Sequence, residues 1–234
     1  ETIDIPLTNA ERVINDLLKE YFAARFDEAS TPREVNAVRF LSIIFRKRAS
    51  SSISALKISL KRRLEKLGNL TNADDVIRIQ SQINDLDEEI DPEYEEGENH
   101  LDGFTLTADI ENEKNSLRNI ISEIEKLGTR DTKLEKLKES IKKLKETDSK
   151  AKILLFTEYR DTLEYLINEL SKDYAVDKID GTMSIGARSE TLSNFSKDDG
   201  PEILLCTDAA GEVIDMQFCN IEFNYDLPWN PKKY

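Results

Sequence analysis

Apolar positions return along this chain with two different periods. Through Leu144 they recur, in separate seams, every three or four residues, the mark of helices with one buried face. Beyond residue 150 they gather in short unbroken runs that alternate with helical patterns. The first helix is announced by Thr8-Asn9-Ala10-Glu11, a capping box in which a threonine and a glutamate three residues on satisfy each other's backbone donors. Val13, Ile14, Leu17, Leu18 and Tyr21 then share one face. Thr31-Pro32-Arg33-Glu34 repeats the start signal with proline at the first helical position, ahead of "VNAVRFLSIIFRKR". Further seams follow at Ile53, Leu56, Leu60, Leu64 and Leu67, and at Leu117, Ile120, Ile121, Ile124 and Leu127. A heptad-like seam closes the series at Leu134, Leu137, Ile141 and Leu144. Each seam covers too few turns for a coiled-coil arm, so the pattern predicts a packed helical domain.

The second half reads as an α/β unit. "KILLFT" (152–157) is a continuous apolar run, as expected of a strand buried on both faces. A helix follows with Leu163, Leu166, Ile167 and Leu170 on one side. "AVDKIDG" supplies a second strand, and Ser184 caps a helix carrying Ala187, Leu192 and Phe195. "EILLCT" (202–207) and "IEFNYD" (221–226) give two more strands. Alternating strands and helices imply right-handed crossovers and a parallel sheet. In such sheets the loops after the strand C-termini form the binding edge. Here those loops are 157–160, 181–184, 207–217 and 226–231.

Charge changes this picture locally more than globally. The net charge is −14, against a nucleic-acid binder at first sight. Ten of the acids, however, lie in "DLDEEIDPEYEEGENHLD" (85–102), which has no Lys or Arg and reads as a solvated, mobile loop. Two basic stretches, "FRKRASSS" (45–52) and "KISLKRRLEKL" (57–67), read as solvated helix faces, with phosphate contact as the alternative. Cys206 and Cys219 sit in strand-like runs without metal spacing and read as buried thiols of a reduced compartment. His100 has no neighbouring Cys or His. The chain begins without a signal-peptide pattern, and its apolar runs are too short to span a bilayer. There is no G-x-x-x-x-G-K-S/T loop, no G-x-G-x-x-G turn and no Ser-His-Asp set.

At the four loops the chain resembles the second RecA-like lobe of superfamily-2 helicase-like ATPases, in particular the SWI/SNF-type translocases of bacteria and archaea. "KILLFTEYRDTLEYL" resembles the segment that opens that lobe, and "IDGTMSIGARSETLSNF" its G-x-M-S-x-x-x-R segment. "ILLCTDAAGEVIDMQFCN" resembles motif V, and "FNYDLPWNP" the strand and turn after it. "RKRASSSISALKISLKRRL" is similar to the helical segment between the two lobes. The resemblance implies an α/β fold, a helical inter-lobe region over 1–128 followed by an incomplete parallel-sheet RecA-like lobe over 129–234. In the family W-N-P leads into Q-x-x-G-R-x-x-R, which Tyr234 stops short of, so a fragment of a larger ATP-dependent DNA translocase is expected.

The residue roles come from the same resemblance. Thr207 and the Gly181 backbone would meet DNA phosphates, joined by Thr157 and Arg160 on the same edge. Asp215, with Glu212 near it, would contact the ATP ribose. Trp229 and Asn230 would brace the arginine segment, while Arg188, apart from the resemblance, reads as tying the lobe together by a salt bridge and not as touching DNA. The family usually has Gly where Val213 stands and often Asn at Asp215, which implies weakened ATP coupling. ATP and Mg are expected in the intact parent and none bound to the fragment. The expected partners are DNA, weakly, and the first RecA-like lobe of the parent, with no membrane; the expected location is cytoplasmic, at the nucleoid. The competing reading is a non-enzymatic interaction module built on a degenerate lobe.

Overall fold

The computed structural model describes residues 2–30, 32–68, 110–128, 131–207, 219 and 221–226. The acidic run 85–102 and Val213 lie outside them. The chain divides into two compact units. One comprises Glu1–Ala49 and Leu56–Arg130, the other Ser50–Ala55 and Asp131–Tyr234. The second unit therefore takes in Ser50–Ala55, which the division at residue 128 assigns to the helical region.

The first unit is helical. Helix α1 spans Asn9–Glu28, α2 Pro32–Ser51, α3 Ile53–Gly68 and α4 Ile110–Leu127. The expected capping box starts α1: the Glu11 amide donates to Thr8 Oγ1 at 3.3 Å and the Thr8 amide to Glu11 Oε2 at 2.7 Å. Ile14, Leu18, Tyr21 and Phe22 of α1 are buried. Phe22 meets Tyr21 and Phe45 edge to face, at ring separations of 4.9 and 5.6 Å. Leu56, Leu60 and Leu67 of α3, and Leu117, Ile120, Ile121 and Ile124 of α4, complete the apolar interior. Val13, expected on this face, is 48% exposed, because it lies about 100° round the helix from Ile14, near the centre of the buried stripe. Gly128 ends α4 in the left-handed region, φ 67°, with its amide on the Glu125 carbonyl at 3.2 Å.

A carboxylate is buried among these helices. Glu113, fully buried in the first turn of α4, accepts from the Tyr21 hydroxyl at 2.6 Å and from Arg63 Nε at 3.0 Å. Arg25 Nη1 approaches its other oxygen at 3.4 Å. Burial by itself would raise the Glu113 pKa; Arg63, the Tyr21 hydroxyl and Arg25 outweigh it and hold the carboxyl below its ordinary value. The solvated-face reading of the basic stretches holds for Arg46, Lys61 and Arg62, which are exposed, and is corrected for Arg48 and Arg63. Arg48 and Arg63 are 4% and 5% exposed, and Ser51, Ser52 and Ser59 are buried with them. Arg63 goes inside because Glu113 waits there to pair with it, whereas Lys57 and Lys61 stay outside on Glu125, at 3.0 and 3.4 Å.

The second unit is a sheet between helices. Helix α5 spans Thr132–Thr147, β1 Ile153–Thr157, α6 Arg160–Leu170, β2 Val176–Ile179, α7 Ile185–Phe195, β3 Ile203–Thr207 and β4 Glu222–Asn224. The strands are parallel, in the order β2-β3-β1-β4. Alternation along the strands sends side chains to opposite faces. Ile153, Leu155, Ile203 and Leu205 pack with Leu134, Leu137 and Ile141 of α5 and with Leu163, Leu166 and Leu170 of α6. Leu154, Leu204 and Cys206 pack on the other face with Ile179 and Phe195. The heptad-like seam of α5 is therefore a helix-on-sheet contact. Burial pushes the Cys206 thiol up to about 12, so it is an inert core side chain at neutral pH. Gly200 has no room for a side chain, since a Cβ there would lie 1.9 Å from the Asn194 carbonyl oxygen.

Replacing Glu113 with Ala should cost about 3–5 kcal/mol in urea unfolding, because Arg63 and Arg25 lose their buried counter-charge. The pH dependence has a definite sign. The folded-state pKa lies below the unfolded one, so Glu113 stabilises the fold above the ordinary carboxyl range and loses that contribution as pH falls through the folded value. Glu113→Gln should flatten the decline in urea midpoint between neutral and acid pH; an unchanged decline would assign it to other carboxylates.

Candidate functional site

Because the four strands run parallel, their C-termini open onto one edge. Thr157 ends β1 and Thr207 ends β3, and the register pairs them directly. The turn after β1 leads to Arg160, exposed at the start of α6, and Gly181 lies exposed in the turn between β2 and α7. These four expected residues are thus brought to one edge. Asp215, Glu212, Trp229 and Asn230 lie outside the described residues.

Beneath the edge sits a carboxylate that collects donors from several parts of the chain. Asp226 follows β4 and its side chain is 9% exposed. Its Oδ2 accepts from Thr157 Oγ1 at 2.6 Å, from Ser51 Oγ at 2.9 Å and from the Glu158 amide at 3.1 Å. Its Oδ1 accepts from Lys133 Nζ at 2.8 Å. Lys133 in turn donates to the Ser50 and Ser51 carbonyls, at 3.0 and 3.1 Å, and stands 4.1 Å from the centre of the Tyr225 ring. The charge is matched and the lone pairs are filled, which is what a nearly buried carboxylate requires. Thr157 is 1% exposed and its single proton goes to Asp226. This corrects the expected role of its hydroxyl: Thr157 supports the edge from below, without a proton to offer a phosphate.

The turn after β2 is held just as firmly. Asp180, 2% exposed, accepts from the Thr182 amide at 2.9 Å and from the Thr182 hydroxyl at 2.5 Å. Burial opposes its charge, but Thr182 and Lys178 more than compensate and hold its carboxyl below the usual range. Ser184 caps α7 by accepting from the Ala187 amide at 3.2 Å. Arg188 departs from expectation. Instead of a salt bridge it donates to the Met183 and Gly181 carbonyls, each at 3.1 Å, so it shapes the turn through backbone acceptors.

Sequence reasoning missed Asp226, Lys133 and Ser51 as a group. The local hint was slight: the serines after "FRKR" interrupt the apolar period at the α2–α3 junction, and Asp226 lies inside "FNYDLPWNP". Among the described residues no group of three or more His, Cys, Asp and Glu side chains could hold a metal ion. The edge carries the Thr207 hydroxyl, the Gly181 backbone and the Arg160 guanidinium, a set whose chemistry suits an anion.

Residues 132–234 match the helicase conserved C-terminal domain. An uncharacterized ATP-dependent helicase of Bacillus subtilis, YqhH, is 38% identical over 88 residues, 35% of this chain and 14% of that protein. The DNA repair and recombination protein RAD54 of Saccharomyces cerevisiae is 36% identical over 89 residues, 36% of this chain and 10% of that one. The chain thus spans a small part of the relatives it matches. Among solved structures, the Pyrococcus furiosus Hef helicase domain aligns with a TM-score of 0.62 at 15% identity, over 96% of this chain and 49% of its own. The C-terminal part of the Fun30 ATPase domain aligns with a TM-score of 0.50 at 21% identity, over 98% and 75%. At those identities the likeness is one of fold.

Thr157→Val keeps the volume and removes the proton that Asp226 receives. It should lower stability by about 1.5–3 kcal/mol, the range for a hydrogen bond to a charged group, read from urea unfolding. A loss below about 0.5 kcal/mol, the size of an ordinary surface change, would mean that the hydroxyl does not support the edge.

Proposed function

We propose that the second unit, whose residues 132–234 match the helicase conserved C-terminal domain, is the second, RecA-like motor lobe of an ATP-dependent DNA translocase of the superfamily-2, SWI/SNF-like kind. The observation that carries the proposal is the polar edge itself. Thr207, Arg160 and the Gly181 turn stand together where the strands end, on supports that leave little room for rearrangement. Arg160 supplies charge, and Thr207 and the turn supply hydrogen-bonding groups for backbone phosphates. Contacts of that kind position a strand without reading bases, as a motor that moves along any sequence needs.

In the parent protein this lobe would pair with a first RecA-like lobe, and ATP with Mg would supply the energy that closes the two. By the family resemblance Asp215 and Glu212 would hold the nucleotide's ribose side, and Trp229 and Asn230 would brace the segment that follows. The residues beneath the edge do a simpler task. Thr157 and Asp226 keep the β1–α6 turn in place, Arg188 and Asp180 keep the β2–α7 turn in place, and the two turns grip the nucleic-acid backbone. The setting is the cytoplasm, at the nucleoid.

Two outcomes are expected. The 234-residue polypeptide should show no ATP turnover with or without DNA, since its sequence has no phosphate-cradling G-x-x-x-x-G-K-S/T loop. DNA-stimulated phosphate release by the purified chain would overturn that. DNA binding should be weak and steeply salt-dependent. Arg160→Gln should lower it for all sequences alike and reduce the slope of log K against log salt by about 0.9, the value for one phosphate contact. Unchanged affinity and slope in both Arg160→Gln and Thr207→Val would favour the interaction-module reading.

A further inference from the structure

Ser51 lies at the end of α2, 111 residues before Thr162, yet the two hydroxyl oxygens are 2.7 Å apart. Ser52 Oγ is 3.2 Å from the same Thr162 hydroxyl and accepts from the Ala55 amide at 3.0 Å. All three hydroxyls are buried: Ser51 is 2% exposed, Ser52 3% and Thr162 0%. Each hydroxyl has one proton, and an ionised Asp226 only accepts. That fixes the direction of the whole chain. Ser51 gives its proton to Asp226, so Thr162 must give its own to Ser51, and Ser52 gives to Thr162. A chain of hydrogen bonds pointing one way is mutually polarised and hard to rearrange piecemeal. It ends on both sides of the β1–α6 turn. Asp226 holds the Thr157 hydroxyl and the Glu158 amide at the turn's start, and Thr162 sits in the first turn of α6, two residues after Arg160.

We propose that Ser51 is a positioning residue for the phosphate-holding edge: through Asp226 and Thr162 it fixes the turn that carries Arg160. The edge is then assembled from two distant stretches of chain, and the α2–α3 junction is part of it although it lies outside residues 132–234. The ligand is the one already inferred, the sugar-phosphate backbone of DNA, and this inference rests on that reading.

The test uses the whole chain and three variants, Ser51→Ala, Arg160→Gln and the double. In Ser51→Ala the Glu158 amide should exchange its hydrogen about tenfold faster, the equivalent of one hydrogen bond's worth of local opening, while the Leu204 and Leu205 amides of β3 keep their rates. Affinity for duplex DNA at low salt should fall about threefold to tenfold. In the Arg160→Gln background the same serine change should cost less than about twofold, because residues acting through one contact are not additive. Equal losses in both backgrounds, or an unchanged Glu158 exchange rate, would overturn the positioning role. If Arg160→Gln and Thr207→Val both leave DNA affinity unchanged, the nucleic-acid reading fails and the functional half of the positioning role falls with it. The exchange rates then still decide whether Ser51 holds the turn. Should Ser51→Ala not fold, Ser52→Ala removes only the first donor of the chain and should move the same readouts in the same direction by less. No movement of them in Ser52→Ala would also overturn the role.

Discussion

A nearly buried carboxylate sets the arrangement of the second unit's working edge. Asp226 cannot remain charged out of water unless its lone pairs are filled and its charge is met. Those requirements draw in Thr157, the Glu158 amide, Ser51 and Lys133 together. Because the four donors belong to β1, the turn after it, the α2–α3 junction and α5, satisfying one carboxylate locks four segments. The result is an edge whose turns are held before any ligand arrives, which reduces the ordering cost of binding.

The first unit uses the same device for a different end. Glu113 gathers Tyr21, Arg25 and Arg63 from two other helices. A buried pair of this kind adds little net stability compared with apolar packing, but leaving one partner alone is costly. Its effect here is to allow one registration of α1, α3 and α4, since sliding any of them by a turn would strand a charge in the apolar interior formed by Leu60, Leu117 and Ile120.

The limits of the lobe follow from these contacts. The helicase conserved C-terminal domain covers 132–234, yet the compact unit also contains Ser50–Ala55. Lys133 binds the carbonyls of Ser50 and Ser51, and those carbonyls lie near a helix end, where they lack helical partners. A short stretch from between two helices therefore behaves as part of the sheet domain because its unsatisfied backbone and hydroxyl groups find their partners there.

The sequence by itself determined the elements and their class. Periods of three to four residues and unbroken apolar runs report which faces must leave water, so the described helices, the parallel sheet and the turns after β1 and β2 were legible, as were the Thr8 and Ser184 caps, whose partners are three residues away. Tertiary structure alone decided where polar groups went. "FRKRASSS" and "KISLKRRLEKL" look solvated because nothing near them in the chain can neutralise or bond them, while Glu113 and Asp226, which can, are 50 and 175 residues distant from Arg63 and Ser51. It likewise decided that Thr157 spends its proton on Asp226 and that Arg188 turns to carbonyls. Hydrophobic burial is a property of each residue and leaves a periodic trace; a buried polar group is settled by its partner, and partners distant in the chain leave none.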